Sequence, residues 1–230
     1  MINYNYRFLI KMSKIYTKIK IAGIRSKTIL GLVLLLSLMF SCLNSSNETN
    51  WRVGEQLSGK YHFLDDNGSK VYLPLDFERY SLSKYQRLLD SLGKKKEYKF
   101  ETEHLNILSK MEGALYIFFD KKTGSTCTIN TIPYYPFTKD NATEILGLIQ
   151  ANQEKVAKKV ETTFTKITAK YGGNSKEQLF KTIYKVTSKK NKIDVFSSAY
   201  IISSNDKTVF IQLTTGFKTE FDPFIDKLML

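Results

Sequence analysis

The chain has 230 residues, with 35 Lys and Arg, 22 Asp and Glu, two Cys and two His. Its hydrophobic content of 42% excludes a chain that is disordered throughout. Two cysteines cannot build a disulfide framework, and two isolated histidines argue against a zinc site or a His-based catalytic centre. Seven basic residues and no acidic ones lie in residues 1–42, which leaves 28 basic against 22 acidic residues in the remainder. That mild excess predicts no nucleic-acid partner.

The N-terminus has the pattern of an export signal over residues 1–41. A basic stretch ends at Lys27, and an uncharged run follows from Thr28 to Phe40. Its apolar part of about twelve residues suits the hydrophobic region of a signal peptide and is shorter than the ~18 residues that span a bilayer. A start at Met12 would give a leader of about thirty residues, at the upper end of the usual length.

Cys42 follows this apolar run directly. The segment Leu38-Met39-Phe40-Ser41-Cys42 resembles the signal of bacterial lipoproteins, although Met39 and Phe40 stand where that pattern usually has Leu and a small residue. The resemblance implies that Cys42 becomes the acylated first residue and anchors the protein in a membrane, with the outer membrane facing the periplasm as the expected location. The alternative is an ordinary secretory signal followed by a chance cysteine, for which Met39 is a poor cleavage residue.

Residues 42–57 are predicted to form a tether, and residues 58–230 a single α+β domain. Residues 43–50 are polar and have no periodicity, which is typical of a flexible spacer. The domain begins with a predicted hairpin, in which two apolar strands (residues 60–64 and 71–75) flank the turn pair Asn67-Gly68.

Helices and strands alternate through the middle of the domain. The pattern predicts a helix over residues 83–92, an ambiguous interval over 101–111, and strands over 114–119 and 126–132. A long helix over residues 141–160 follows, with Asp140 or Asn141 as its cap. Its expected core-facing positions are Ile145, Leu148, Ile149, Val156 and Val160.

The C-terminal third has the pattern of a β-meander followed by a short helix. Apolar residues alternate from Phe180, from Ile193 and from Val209, with polar turns between them, which predicts three antiparallel strands. A closing helix is expected to begin with Asp222 as cap and Pro223 at its first position.

This order of elements resembles the PsbP-like fold over about residues 58–230. The matching residues are Tyr72-Leu73-Pro74-Leu75-Asp76-Phe77, Tyr200-Ile201-Ile202, Val209-Phe210-Ile211-Gln212-Leu213 and Glu220-Phe221. The resemblance implies an antiparallel sheet flanked by helices, an α/β/α sandwich. Members of that fold are mostly binding or assembly proteins, so the resemblance implies a scaffold rather than a particular function.

The candidate binding residues are the aromatic side chains of the connection before the long helix. Tyr134, Tyr135 and Phe137 belong to the segment Pro133-Tyr134-Tyr135-Pro136-Phe137, and aromatic side chains on a loop provide large contact area at low entropic cost. The alternative is that these rings close the core. His62 and His104 are interpreted as structural or surface residues, and Cys127 as a buried free thiol.

We therefore expect a lipid-anchored, non-enzymatic protein of the cell envelope that acts as a binding or assembly module. It would contact the membrane through acyl chains on Cys42, bind an unknown envelope protein or glycan, and be a monomer without cofactor or metal. One alternative is a carrier of a small apolar ligand held between the sheet and the long helix. The other is a hydrolase with an unrecognised carboxylate site, whose nearest acid pairs are Asp65-Asp66 and Asp76 with Glu78.

Overall fold

The computed structural model describes residues 52–53, 56–92, 99–174, 176–189 and 193–230. The predicted leader, Cys42 and the tether residues 43–50 lie outside the described residues. The strands are β1 (Arg52–Val53), β2 (Gln56–Leu57), β3 (Gly59–Phe63), β4 (Lys70–Pro74), β5 (Phe77–Tyr80), β6 (Ala114–Asp120), β7 (Ser125–Thr131), β8 (Thr162–Gly173), β9 (Glu177–Ser188), β10 (Asp194–Ser204) and β11 (Lys207–Thr215). The helices are α1 (Leu82–Leu92), α2 (Lys99–Leu108), α3 (Lys139–Val160) and α4 (Asp222–Ile225).

Seven of the strands form one antiparallel sheet in the order β5-β6-β7-β11-β10-β9-β8, and β3 pairs with β4 in a separate hairpin. This architecture confirms the predicted α+β class with an antiparallel sheet flanked by helices. The predicted turn at Asn67-Gly68 and the predicted polar turn between β10 and β11 are present. Asn205 and Asp206 join β10 to β11 with φ of 51° and 57°, the conformation that short hairpin turns require.

The two faces of this sheet are covered by different elements. The β3–β4 hairpin and α4 pack on one face, here called the hairpin face, against large side chains such as Phe118, Ile129 and Ile211. Helices α1, α2 and α3 pack on the other, here called the helix face. Among the described residues, no helix is both long enough and apolar enough to cross a membrane.

Strand β8 has no counterpart among the predicted elements. It is an edge strand with mostly exposed or half-buried side chains, and its register against β9 shifts between Lys166 and Thr168. A bulge moves the side chains after it to the opposite face, so the apolar positions do not alternate regularly along the strand. The ambiguous interval after α1 is the helix α2.

Both predicted helix caps are wrong in detail. Thr138 caps α3, and the side chain of Asn141 accepts a hydrogen bond from the Thr138 backbone N–H at 3.0 Å. Phe221 is the cap residue of α4, which ends after one turn. The Asp222 carboxylate is instead bound by the Lys181 ammonium, at 2.5 and 2.6 Å, and by the Tyr200 hydroxyl, at 2.9 Å.

Candidate ligand-binding site

A cavity of about 300 Å³ lies between the helix face and helices α2 and α3. It exists because the central strands present small side chains to that face. Ala199 and Ser197 on β10 lie beneath the helices, and Thr182 on β9 is directly opposite Ala199 in the strand register. These short side chains do not reach the helices, so space remains between the two layers.

Apolar side chains form the roof and one wall of this cavity. Helix α3 contributes Ile145, Ile149 and Val156, and helix α2 contributes Phe100 and Ile107. The volume lies at the lower end of the ~300–1,000 Å³ that small-molecule pockets span.

Leu148 lies at the opening of this cavity. It was predicted to face the core, yet 63% of its surface is exposed. The long helix therefore does not close over the sheet along its whole apolar stripe, and the cavity communicates with solvent.

A hydrogen-bonded chain of three side chains joins helix α2 to the strands that form the floor of the cavity. His104 Nε2 lies 2.5 Å from Gln212 Oε1, and Gln212 Nε2 donates to Ser197 Oγ at 3.0 Å. His104 is 8% exposed and its ring stacks on Phe100 with a centroid distance of 5.8 Å. The imidazole is thus fixed by both an amide and an aromatic ring.

Three buried polar atoms of residues that line this cavity have no hydrogen-bond partner among the described residues. They are Nδ1 of His104 and the hydroxyls of Thr182 and Tyr184. An unpaired buried polar atom costs roughly 1–3 kcal/mol, so a ligand that satisfies such an atom gains affinity. Burial raises the pKa of the Tyr184 hydroxyl on the cavity floor.

A second cavity of about 220 Å³ lies further along the helix face. Glu101 contributes a carboxylate to its lining and accepts a hydrogen bond from the Tyr85 hydroxyl at 3.1 Å. The same hydroxyl lies 2.7 Å from Thr126 Oγ1. Phe100 lines both cavities and is thus part of the wall between them.

The aromatic residues singled out by the sequence separate into two groups. Phe137 is 2% exposed and packs against Ala142, Ile145 and Phe180, as the core interpretation expects, so it offers no contact surface. Tyr134 and Tyr135 are 47% and 44% exposed, and Tyr135 also borders the cavity.

The other residues weighed in the sequence occupy structural positions. His62 packs on the Phe118 ring at 4.7 Å, and burial, with a contribution from Lys60 and Arg79, lowers its pKa to about 4. Cys127 is fully buried, which raises the pKa of its thiol.

The acid pairs do not form a joint carboxylate site. Asp65, Asp76 and Glu78 are ion-paired with Arg79, Lys122 and Lys121, respectively. Asp66 accepts hydrogen bonds from the hydroxyls of Tyr116 and Thr131. No group of three or more potential metal ligands is found within the described part of the chain.

His104 is the site residue that sequence reasoning missed. A signal was present, because Phe100, His104, Ile107 and Leu108 have the spacing of one helical stripe with a single polar member. The ambiguous assignment of this interval concealed that spacing. Its partner Gln212 is 108 residues away in the chain, which no local pattern can reveal.

No protein-family model and no curated protein matches this chain. Among solved structures, it is similar to the solution structure of cyanobacterial PsbP (CyanoP) from Synechocystis sp. PCC 6803. The TM-score is 0.49 and the sequence identity 12%, and the match covers 78% of this chain and 96% of that chain. A likeness of this degree gives no information about a ligand or a partner.

Proposed function

We propose that the domain binds a small, largely apolar molecule in the cavity between the helix face and helices α2 and α3, and that it acts as a carrier rather than an enzyme. The observation that supports this function is the contrast between the two faces of one sheet. The hairpin face is filled by large side chains, whereas the helix face keeps a cavity of about 300 Å³ that opens beside Leu148. Unfilled apolar space costs stability, and a ligand would offset that cost.

Binding of a fluorescent apolar probe, such as N-phenyl-1-naphthylamine, tests this proposal. Ala199→Leu places a larger side chain on the cavity floor, where it would occupy space that the probe fills. If the probe loses the burial of a Leu-sized part, its binding free energy weakens by ~1.5–3 kcal/mol. We expect the variant to bind the probe about tenfold more weakly or worse. Ala151→Leu is the control, because Ala151 is exposed on helix α3 and does not line the cavity. Equal probe affinity in both variants, with both folded, would contradict the proposal.

We further propose that the mature protein is anchored in the cell envelope through acyl chains on Cys42. The support is the apolar run that ends at Ser41-Cys42. Several acyl chains give stable anchoring, at about 0.8 kcal/mol per buried CH₂. Cys42→Ser should abolish labelling by radioactive palmitate and leave the precursor uncleaved at this site. Undiminished fatty-acid incorporation in this variant would refute the anchor.

Contact with an envelope partner is a second candidate function, and the exposed pair Tyr134 and Tyr135 favours it. The connection that carries them is held in place, since the Tyr135 N–H donates to Thr208 Oγ1 at 2.8 Å and the Ser203 hydroxyl donates to the Tyr135 carbonyl at 2.7 Å. Crosslinking in the native envelope should lose its main product when both tyrosines are replaced by Ser. An unchanged crosslinking pattern would remove this surface from consideration.

A further inference from the structure

We propose that the ligand of the helix-face cavity is a single-chain amphiphile whose polar end is an uncharged hydroxyl group, and that this hydroxyl donates a hydrogen bond to His104 Nδ1. The inference rests on the proposed ligand-binding function and specifies the chemistry of the ligand. It follows from which atoms of the cavity-lining side chains donate hydrogen bonds and which accept them.

Two contacts fix the orientation of the Gln212 side-chain amide. Its nitrogen donates to Ser197 Oγ at 3.0 Å, which turns its oxygen toward His104. The 2.5 Å separation between His104 Nε2 and that oxygen is short even for an N–H···O bond and is too short for two nitrogens. Nε2 of His104 therefore carries a hydrogen and donates it to Gln212.

The tautomer of His104 follows from this bond. In the neutral form of the imidazole, which this proposal requires, only one ring nitrogen carries a hydrogen, and Nδ1 is then an acceptor. This atom is buried and has no partner among the described residues, and His104 lines the cavity. A hydroxyl group satisfies such an acceptor, whereas a carboxylate presents only lone pairs and does not.

The remaining surface of the cavity selects the rest of the molecule. Thr182 and Tyr184 provide two further buried polar atoms without a partner among the described residues, and each hydroxyl can donate to or accept from a polar end. Elsewhere the lining is mainly aliphatic and aromatic, with Ile145, Ile149 and Val156 above the floor. A volume of about 300 Å³ suits one short alkyl chain rather than a lipid with two.

Competition against N-phenyl-1-naphthylamine with three compounds that share a ten-carbon chain tests this chemistry. The compounds are 1-decanol, its methyl ether and decanoate. The ether keeps the oxygen and the chain but lacks the donor. We expect 1-decanol to bind the purified protein about fivefold more tightly than the ether, as one hydrogen bond provides, and decanoate to bind most weakly. Equal binding of alcohol and ether, or tighter binding of decanoate, would overturn the proposal while leaving the cavity as an apolar site. Failure of every compound to displace the probe would overturn the proposed function as well.

A pair of histidine variants tests whether His104 causes the preference for the alcohol over the ether. His104→Phe should bring the alcohol and the ether to equal affinity, and His62→Phe, the same change on the hairpin face, should leave the preference unchanged. The ligand series in the unaltered protein decides the question even if His104→Phe fails to fold. Nitrogen NMR of the imidazole gives an independent signature: 1-decanol should shift the Nδ1 resonance of His104, and the ether should not. A preference that survives in a folded His104→Phe variant would overturn the assignment.

Discussion

The hairpin face and the helix face belong to the same seven-stranded sheet but are packed in opposite ways. On the hairpin face, side chains such as Phe118, Ile129 and Ile211 are completely or almost completely buried, and Phe224 and Tyr72 stack above them. On the helix face the strands carry the short side chains of Thr182, Ser197 and Ala199 beneath the cavity, and the Thr182 hydroxyl has no partner among the described residues. Under the proposed function the two faces have different roles: the hairpin face provides stability, and the helix face would hold the ligand.

Removal of α4 should have the largest effect on stability. Deleting residues 221–230 would remove Phe221, Phe224 and Ile225, which are 1%, 2% and 7% exposed, and would uncover the hairpin face. Each such side chain contributes ~1.5–3 kcal/mol by burial, against a typical total of ~5–15 kcal/mol. We expect the truncated protein to show no cooperative thermal transition. Deleting the predicted tether residues 43–50 is the control and should change the midpoint little; a truncation with a near-normal midpoint would refute the packing role of α4.

Alanine substitutions at two neighbouring residues of β10 allow the packing of the two faces to be compared directly. Ile202 is 3% exposed on the hairpin face, whereas Ile201 borders the cavity. Ile202→Ala should lower the free energy of unfolding by about 2–5 kcal/mol. Ile201→Ala should cost at least ~1 kcal/mol less, because its side chain already adjoins unfilled space. Denaturant titrations measure both, and equal costs would show that the helix face is packed as tightly as the hairpin face.

Acid should destabilise the hairpin face through His62. Its pKa in the folded protein is about 4, below the ordinary 6.5, chiefly because of burial. The unfolded chain therefore binds this proton first, so stability falls as pH decreases from 6.5 toward about 4 and is unaffected by this group above 6.5. His62→Phe should lose less stability over that interval than the unaltered protein in matched denaturant titrations. Parallel pH profiles of the two proteins would contradict the assignment.

Substitution at the opening of the cavity should have the smallest effect. Leu148 is 63% exposed, so Leu148→Ser should change the free energy of unfolding by no more than about 0.5 kcal/mol. Ile145→Ser, on the same helix and 6% exposed, is the contrasting variant and should be strongly destabilising. Comparable losses from both would show that α3 closes over the sheet at Leu148.

The elements that could be predicted from the sequence are those whose pattern is local. Strands β10 and β11 alternate regularly and are joined by a polar turn, and the stripe of α3 has helical spacing. Strand β8 could not be predicted, because its bulge at Lys166 and Thr168 breaks the alternation.

The cavity depends on relations that lie far apart in the chain. It forms where short side chains of β9 and β10 lie opposite helices that begin many residues away, and His104 meets Gln212 across 108 residues. Sequence patterns indicate which side chains are apolar, but not whether those of two layers fill the space between them.

Methyl NMR of the protein titrated with 1-decanol distinguishes a ligand on the helix face from one on the hairpin face. We predict changes in chemical shift and ligand contacts at the methyl groups of Ala199, Ile145 and Ile149, which line the cavity. We predict none at Ile211 or Leu213 on the hairpin face. Changes spread equally over both faces, or confined to the hairpin face, would contradict the assignment of the helix face as the ligand-binding site.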